Sequence, residues 1–265
     1  MTRARFYGPH LVALALLAVA LGWAFHVTRI DLLLATPWYD PINHTFPWRY
    51  AWITKYAIHR HLKVLQIAFG LVMCVVAWRA SRASSIFLAT HRLRLRCIAI
   101  SFVAVPATIA VIHRLSPMHC PWHVAEFGGN AQYADLLSSS LASVAPGHCF
   151  PAMFVTTGAW MLSFALLWFP ENRRRSVLVG IATLAWAFGL GWVQQMRGAH
   201  FLSHTLWSLW VSWSVVLFVH QACGAWREGS RNAIVTPRVE GTRVDRLHGR
   251  LGGRFPARVD SGVRD

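Results

Sequence analysis

Apolar residues are concentrated in six runs, each close to the roughly 20 residues that a helix needs to cross a bilayer. A polar interval separates each run from the next. A helix in lipid can be apolar on every side, so runs that lack the polar stripe of a soluble helix favour membrane-spanning segments. We therefore predict an all-α, polytopic membrane protein with six transmembrane helices. The runs cover residues 11–27, 64–78, 97–112, 150–169, 177–193 and 206–222.

The first run admits two interpretations. Arg3 and Arg5 precede it, and small residues at 18–20 resemble the cleavage site of a secretory signal peptide. The run is also long enough to remain in the bilayer. We take residues 1–27 as the first transmembrane helix, which could also act as a signal anchor. Both interpretations leave the arrangement of the later segments unchanged.

Composition and charge support the membrane assignment and fix its direction. The chain is 55% hydrophobic and 14% charged, yet its formal net charge is +16. If each run crosses once, the arginine clusters all fall on one side, which the positive-inside rule makes cytoplasmic together with both termini. The basic charge therefore reports topology and not a nucleic-acid partner. The clusters lie at residues 3–5, 79–96, 173–175 and 223–265.

The intervals complete the predicted organisation. Residues 28–63 are rich in Trp and Pro and read as an external loop with a segment at the membrane interface. Residues 64–222 form the membrane core. Residues 223–265 carry arginine, glycine and proline, so we predict a disordered cytoplasmic tail that is attracted to anionic lipid.

The predicted topology brings three clusters of arginine and histidine to the external face. They occupy residues 114–123, 147–148 and 197–204. Arginine binds phosphate oxygens bidentately, and a histidine can be a nucleophile when neutral and a general acid when protonated. Gly147 and His148 directly precede an apolar run, where a helix N-terminus would favour an anion. These groups suit phosphoryl transfer and require no metal.

The order of the clusters resembles the type 2 phosphatidic acid phosphatase (PAP2) superfamily. Its pattern has a Lys/Arg-Pro motif, then Pro-Ser-Gly-His, then Ser-Arg-x5-His-x3-Asp. Gly147-His148 resembles the end of the second motif, and His200 matches the histidine of the third. The resemblance covers about residues 97–222. It implies a six-helix bundle in which His200 is the nucleophile and His148 protonates the leaving group.

The chain departs from this pattern at two places in the third motif. Gln194 stands where the family arginine would be, so the resemblance assigns the phosphate to Arg197, with Arg114 as the cation of the first motif and Gly147 at the helix mouth. His204 stands where the family has a carboxylate. It is expected to accept from the ring of His200 and fix its tautomer, although it would stabilise an imidazolium less than Asp.

The expected function is a phosphatase or phosphotransferase for a lipid phosphate or pyrophosphate, acting through a phosphohistidine without cofactor or metal. The site would face the periplasm from the inner membrane. The lipid substrate and the bilayer are the expected partners, nucleic acid is not, and the oligomeric state is undetermined. One alternative is a non-catalytic member of the same fold that binds anionic lipid headgroups.

A second alternative is a metal-dependent membrane oxidoreductase. His119 and His123, and likewise His200 and His204, are four residues apart, a spacing that places two imidazoles on one face of a helix. Four histidines could hold zinc, copper or iron. The HxxHH boxes of membrane di-iron enzymes are absent from the sequence. The externally placed cysteines, Cys120 and Cys149, are compatible with a disulfide.

Overall fold

The computed structural model describes residues 3–82, 86–138 and 146–224, all of which lie within one compact unit. Their regular structure is helical, apart from two isolated bridges that pair Asp40 with Thr45 and Val124 with Ala131. The all-α prediction is confirmed for this part of the chain. The predicted tail, from residue 225 onward, lies outside the described residues, as does the serine-rich stretch 139–145.

In the described part of the chain, five helical segments are long and apolar enough to cross a membrane, so the chain is a multi-pass membrane protein. The five long helices lie where apolar runs predicted them, and they extend beyond those runs because the flanking polar residues continue the same hydrogen-bonded turns. The long helices are α1 (Arg3–Val27), α3 (Lys63–Arg82), α4 (Ile86–Leu115), α6 (Arg173–Met196) and α7 (Leu202–Ala222).

The segment that leads into α3 begins much earlier than the apolar run. A π-helical stretch, Ile53–Leu62, continues directly into α3, and the candidate span covers Pro47–Arg82. The second half of the predicted interfacial loop is therefore helical. The helix could not be predicted from the sequence, because the stretch carries Lys, Arg and His, which interrupt the apolar pattern. One consequence is that His59, from this stretch, packs against Phe154 of the fourth apolar run, with ring centroids 4.8 Å apart.

The fourth apolar run forms a shorter helical segment, Met153–Leu167. It consists of a 3₁₀ turn, the short helix α5 (Thr156–Ala159) and a second 3₁₀ stretch, Trp160–Leu167. A 3₁₀ helix rises about 2.0 Å per residue, so these pieces together reach roughly 28 Å, close to the thickness of a bilayer core. Its Trp160 is 1% exposed and lies in the main apolar cluster of the bundle.

The intervals at one end of the bundle fold into a compact cap, which we define as residues 30–49 and 116–133. It contains α2 (Ile30–Ala35) and three-residue turns such as Pro47–Arg49 and Pro121–His123. An aromatic cluster holds the cap to the residue that precedes α7, Phe201. The first half of the predicted interfacial loop is thus packed into the protein. The cluster comprises Leu32, Ala35, Phe46, Val124, Phe127 and Phe201.

Candidate functional site

The loop that joins α6 to α7 is fixed by its own backbone and by the cap. Gly198 has a left-handed φ of 68°, and a Cβ at this position would overlap the ring of Phe46. The Gly198 carbonyl accepts from the Trp122 N–H at 3.1 Å, and the Ala199 N–H donates to the Gln194 carbonyl at 2.9 Å. Only glycine combines that backbone angle with the close approach. The loop therefore presents Arg197 and His200 in fixed positions.

A second loop, residues 146–152, lies beside the first. A disulfide joins Cys120 to Cys149, with their Cα atoms 5.3 Å apart. The N–H groups of Gly147 and His148 donate to the carbonyls of Pro117 and Ser116 at 3.1 and 3.0 Å. This loop is therefore tied to the cap by one covalent bond and a short ladder of backbone hydrogen bonds, which places His148 at the same end of the bundle as His200.

The two loops close one end of a cavity of about 660 Å³ whose walls come from α3, α4 and α5. Three residues that the sequence predicted for the site line it together: His148, Arg197 and His200. His148 is exposed at the cavity, whereas Arg197 and His200 are buried. The convergence that the pattern required is therefore present for these three side chains.

The cavity is electrostatically one-sided. Six basic side chains line it, and none of its described lining residues is acidic. Lys63 and Arg197 carry positive charge, and cations that share a partly buried space repel one another unless an anion joins them. The cavity is therefore suited to a ligand with several negative oxygens. The basic lining residues are His59, Lys63, His113, His148, Arg197 and His200.

Unused hydrogen-bonding groups concentrate around the same cavity. Six buried polar atoms of its lining residues have no hydrogen-bond partner among the described residues. A buried polar group without a partner costs about 1–3 kcal/mol, so this clustering indicates a place for acceptor oxygens. The atoms are His59 Nδ1, Gln66 Nε2, Trp122 Nε1, Trp160 Nε1, Gln194 Nε2 and Arg197 Nε.

Arg197 caps the end of α6 and is 8% exposed. Its Nη1 donates to Gln194 Oε1 at 2.8 Å, while its Nε remains unpaired among the described residues. Burial, helped by the nearby Arg49, lowers the pKa of the Arg197 guanidinium, which still stays charged because arginine starts so high. Gln194, at the position of the family arginine, thus holds the arginine that this chain does have.

His200 is a buried, neutral imidazole. Desolvation, reinforced by the nearby His113, lowers its pKa to about 3, against an opposing interaction with the backbone of Cys149. Its Nδ1 lies 3.5 Å from the Cys149 sulfur, which leaves Nε2 as the other ring nitrogen. A neutral ring offers a lone pair at neutral pH, as a histidine nucleophile must.

His204 lies directly behind His200 and is fully buried, with the ring centroids 5.8 Å apart. The rings of Phe150 and Phe201 pack edge-on against it at 5.5 Å. Neither ring nitrogen of His204 has a hydrogen-bond partner in the described part of the chain. The expected hydrogen bond from His200 is therefore not made in this structure.

A carboxylate does reach the same turn, from a residue that the sequence did not single out. Asp31 is 1% exposed and accepts from the Ser203 N–H at 2.9 Å, from the Ser203 hydroxyl, and from the Tyr133 hydroxyl at 3.2 Å. Burial raises the pKa of Asp31 to about 6, although these hydrogen bonds oppose the shift. Asp31 thus ties the cap to the first turn of α7.

Comparison with known protein families gives one match. The family model of the PAP2 superfamily matches residues 94–228, just over half of the chain. The chain belongs to the PAP2 superfamily. No curated protein and no solved structure matches it. PAP2 proteins generally hydrolyse phosphate esters, and the matched region contains the two loops, α5 and most of α4, all of which line the cavity.

Two of the predicted phosphate ligands of this PAP2 protein lie apart from the converging set. Arg114 is exposed and is not among the residues that line the cavity. The Gly147 N–H is already bonded to Pro117, and the helical segment that follows begins only at Met153. An intervening loop therefore separates Gly147 from the helix mouth that would have attracted an anion, and the structure places His59, Lys63 and His113 at the cavity instead.

The four-histidine metal site is not assembled. In the described ranges, the group of potential metal ligands around His200 contains Cys149 and His204, but neither His119 nor His123. His123 is exposed on a turn of the cap. The i, i+4 spacing implied a helical face at residues 119–123, whereas the chain there is extended and turns at Pro121.

Three basic residues of the cavity, His59, Lys63 and His113, were not predicted to belong to the site, although the spacing of two of them gave some indication. His59 and Lys63 are four residues apart, so a helix through them would present both on one face. Both fall within residues 28–63, for which the sequence predicts an external loop. His113 ends the third apolar run, and its Nδ1–H donates to the Pro151 carbonyl at 2.9 Å, a contact that no local pattern could reveal.

Proposed function

We propose that this PAP2 protein is a phosphatase or phosphotransferase that acts on a lipid phosphate or lipid pyrophosphate at the periplasmic face of the inner membrane. The observation that carries the proposal is the cavity itself: six basic side chains, no acidic lining residue in the described part, and unpaired buried donors around one space. Phosphate supplies both the negative charge and the acceptor oxygens that this space lacks.

The apolar side of the cavity supports a lipid substrate. Its wall between α3 and α4 includes Ile67, Phe102, Val103 and Pro106. Val103 is 59% exposed and Ile67 is 39% exposed on the outer surface of helices that cross the membrane. A phosphate in the basic part of the cavity would therefore have its hydrocarbon portion beside this wall, which is the arrangement that an amphiphile in a bilayer needs.

The first chemical step uses the neutral ring of His200. Its Nε2 attacks phosphorus, the bond from phosphorus to the leaving oxygen breaks, and that oxygen takes a proton from His148. Arg197 binds the phosphoryl oxygens, where its charge stabilises the negative charge that develops in the transition state. Lys63, on the opposite wall, adds positive charge to the same space. The product is a phosphohistidine at His200.

The second step restores the enzyme. A water molecule, or the hydroxyl of an acceptor lipid, attacks the phosphohistidine while His148 now takes its proton. The bond from phosphorus to His200 breaks, and phosphate or a phosphorylated acceptor leaves. His148 acts as acid in one step and as base in the next, because the second step reverses the proton transfer of the first.

One observation favours a second function, the binding of anionic lipid headgroups without catalysis. No described carboxylate lines the cavity, and His204, at the position of the family carboxylate, makes no hydrogen bond to His200. The positive charge that develops on the ring as His200 attacks phosphorus would then be stabilised only by the fixed dipoles around it. A protein with this cavity could hold a phosphate tightly and turn it over very slowly.

The decisive experiment measures phosphate release from a lipid phosphate and a lipid pyrophosphate by purified protein in EDTA. The wild type is compared with His200→Ala and with His61→Ala, a matched control because His61 is exposed and does not line the cavity. We expect turnover in the wild type and the control, and a loss of at least about 10³-fold in His200→Ala.

The same samples separate the two functions. Turnover that survives in His200→Ala would contradict the phosphohistidine route. Saturable binding of the lipid phosphate by the wild type, without turnover and weakened in Arg197→Ala, would instead establish the headgroup-binding function. Capture of ³²P on the wild-type protein at the acid-labile, base-stable linkage typical of phosphohistidine would demonstrate the intermediate directly.

A further inference from the structure

Three potential metal ligands lie together at His200, the proposed nucleophile. Cys149, His200 and His204 each offer one ligand atom, the three atoms lie within 4.8 Å of one another, and all three residues are buried. Sulfur and imidazole nitrogen are the ligands that zinc prefers in proteins. The trio spans two loops that are fixed from both sides, so its members do not need to be gathered from a distance.

His204 is the member that points most strongly to a ligand. It is fully buried, and both of its ring nitrogens lack a hydrogen-bond partner among the described residues. A neutral imidazole always has one N–H donor and one lone pair, so burial of both without partners is costly. A metal ion would bind the lone pair of one nitrogen and so remove part of that cost.

The disulfide prevents these three residues from binding a metal ion. The Cys149 sulfur is bonded to Cys120 and carries neither the proton nor the negative charge of a free thiol. Cys120 lines the cavity, so a small reductant can reach the bond from that side. Reduction by a dithiol transfers two electrons and two protons to the sulfurs, leaves two thiols on the protein, and oxidises the dithiol to its own disulfide.

We propose that reduction of the Cys120–Cys149 disulfide opens a Cys149–His200–His204 site that binds one Zn²⁺ ion. On binding, the Cys149 thiol loses its proton to solvent, and its sulfur and one nitrogen of each imidazole become ligands. Typical zinc bonds of about 2.3 Å to sulfur and 2.0–2.1 Å to nitrogen require the three atoms to draw slightly closer than they are now. The released Cys149 side chain can supply that movement.

Zinc at this position would also change the reaction. If zinc takes the lone pair of His200 Nδ1, the one proton of the neutral ring is on Nε2, which then has no lone pair to attack phosphorus; if zinc binds Nε2, that nitrogen is occupied. In either case His200 is withdrawn from catalysis, and the enzyme is active only while its disulfide is intact. This consequence rests on the proposed phosphatase function. The binding of zinc does not, because it depends only on the three ligand atoms. The two statements can therefore fail separately.

The test uses the full chain and opens the site without a reductant. Cys120→Ser removes the disulfide and leaves Cys149 as a free thiol. Purified protein is incubated with a small excess of Zn²⁺, desalted, and its metal content is measured. We expect about one zinc per chain in Cys120→Ser. The oxidised wild type should retain less than about a tenth of that amount, since its sulfur is not available.

Two double variants provide the matched controls. Cys120→Ser with Cys149→Ser lacks the same disulfide but has no thiol, and Cys120→Ser with His204→Ala lacks one imidazole. Both should retain no more zinc than the oxidised wild type. With Co²⁺ in place of Zn²⁺, only the single variant should show the near-ultraviolet absorption of a thiolate bound to the metal.

The zinc contents of these variants decide whether the proposed site exists. Equal zinc in the single variant and in the Cys149→Ser double variant would overturn the proposal, because the metal would then lie elsewhere. If Cys120→Ser does not fold, wild-type protein reduced with a phosphine and compared with Cys149→Ser gives the same decision. Stoichiometric zinc without loss of phosphate release would retain the site and reject its effect on His200.

Discussion

The first turn of α7 and the loop before it have two sides that carry opposite charge. On one side, Arg197 and His200 face a cavity lined by basic residues, with no acidic lining residue in the described part. On the other side, Ser203 is held by the buried carboxylate of Asp31. His200 and Ser203 are only three positions apart in the sequence. The same turn is therefore a phosphate-binding candidate on one side and a structural joint on the other.

This contrast shows how the protein separates chemistry from support. A carboxylate in the cavity would compete with phosphate for Arg197, whereas a carboxylate behind it holds the helix N-terminus, where negative charge is favourable. In the PAP2 pattern the carboxylate follows the nucleophile by four residues, and this chain has His204 there. Asp31 brings negative charge to the same turn from the cap, where its hydrogen bonds go to Ser203 and Tyr133.

The largest expected effect comes from the cavity side. Arg197→Ala should lower kcat/KM for a lipid phosphate by about 10²–10³-fold, because it removes the charge that stabilises the transferred phosphoryl group. Arg114→Ala is the matched control, since Arg114 is exposed and does not line the cavity. Steady-state phosphate release measures both. An equal loss in the two variants would mean that the cavity is not the site.

On the other side of the turn, Asp31 should make the stability of the protein depend on pH. Because burial raises the pKa of Asp31 to about 6 from its usual value near 3.8, the folded protein holds a proton there more tightly than the unfolded chain does. Between about pH 4 and 6 the folded state therefore binds more protons, and its stability falls as pH rises through that window.

The comparison variant for this effect is Asp31→Asn, which does not titrate but keeps an oxygen for Ser203. From pH 4 to pH 7 the wild type should lose up to about 3 kcal/mol relative to Asp31→Asn, since each pKa unit corresponds to about 1.4 kcal/mol. Melting temperatures of the two proteins in detergent at both pH values test this. A difference that stays constant, or grows with pH, would show that Asp31 is not the buried acid described here.

Gly198 connects the two sides, and its replacement should disturb both. Gly198→Ala adds a Cβ where φ is 68° and where the ring of Phe46 already lies. We expect a loss of about 2 kcal/mol in stability and a lower kcat, because the loop must shift to relieve the overlap. Gly189→Ala, at a helical glycine with no neighbouring atom within 4 Å of its Cβ, should leave kcat unchanged and raise stability by about 0.5–1 kcal/mol, because alanine favours the helix.

The smallest effect is expected at the far wall of the cavity. Lys63→Met should raise KM for the lipid phosphate about fivefold, roughly 1 kcal/mol, because an exposed ammonium contributes only a screened attraction. Lys55→Met is the control, since Lys55 lies over Tyr50 and Tyr56 and does not line the cavity. The Lys63 effect should shrink at high salt. An effect on kcat alone would place Lys63 closer to the reacting phosphate than its exposure suggests.

Much of the fold could be predicted because hydropathy is a local property. The long apolar runs marked four of the crossing helices and the approximate place of α3, and the histidine and arginine of residues 197–200 stood out because ionisable groups are expensive beside a membrane segment. The family pattern then separated His200 from His204. Each of these inferences needs only residues that are close together in the sequence.

The remaining features depend on contacts between distant residues. The helical stretch Ile53–Leu62, which carries His59 to the cavity, looked like a loop because its charges obscure the apolar period. The sequence predicted that the Gly147 N–H binds phosphate, because no local pattern shows that this N–H donates to the Pro117 carbonyl. Sequence spacing likewise could not show that Arg114 points away from the cavity or that Asp31 reaches Ser203.

The sequence by itself determined the class of protein, the direction of its charge and the histidine that the family pattern marks, since hydrophobic length, charge distribution and motif spacing all act along the chain. The tertiary structure decided which basic residues share a cavity, which amides are already used and which cysteine sulfur lies beside His200. Those outcomes depend on how loops from distant parts of the chain pack against α7, because burial and unpaired hydrogen-bonding groups exist only after that packing.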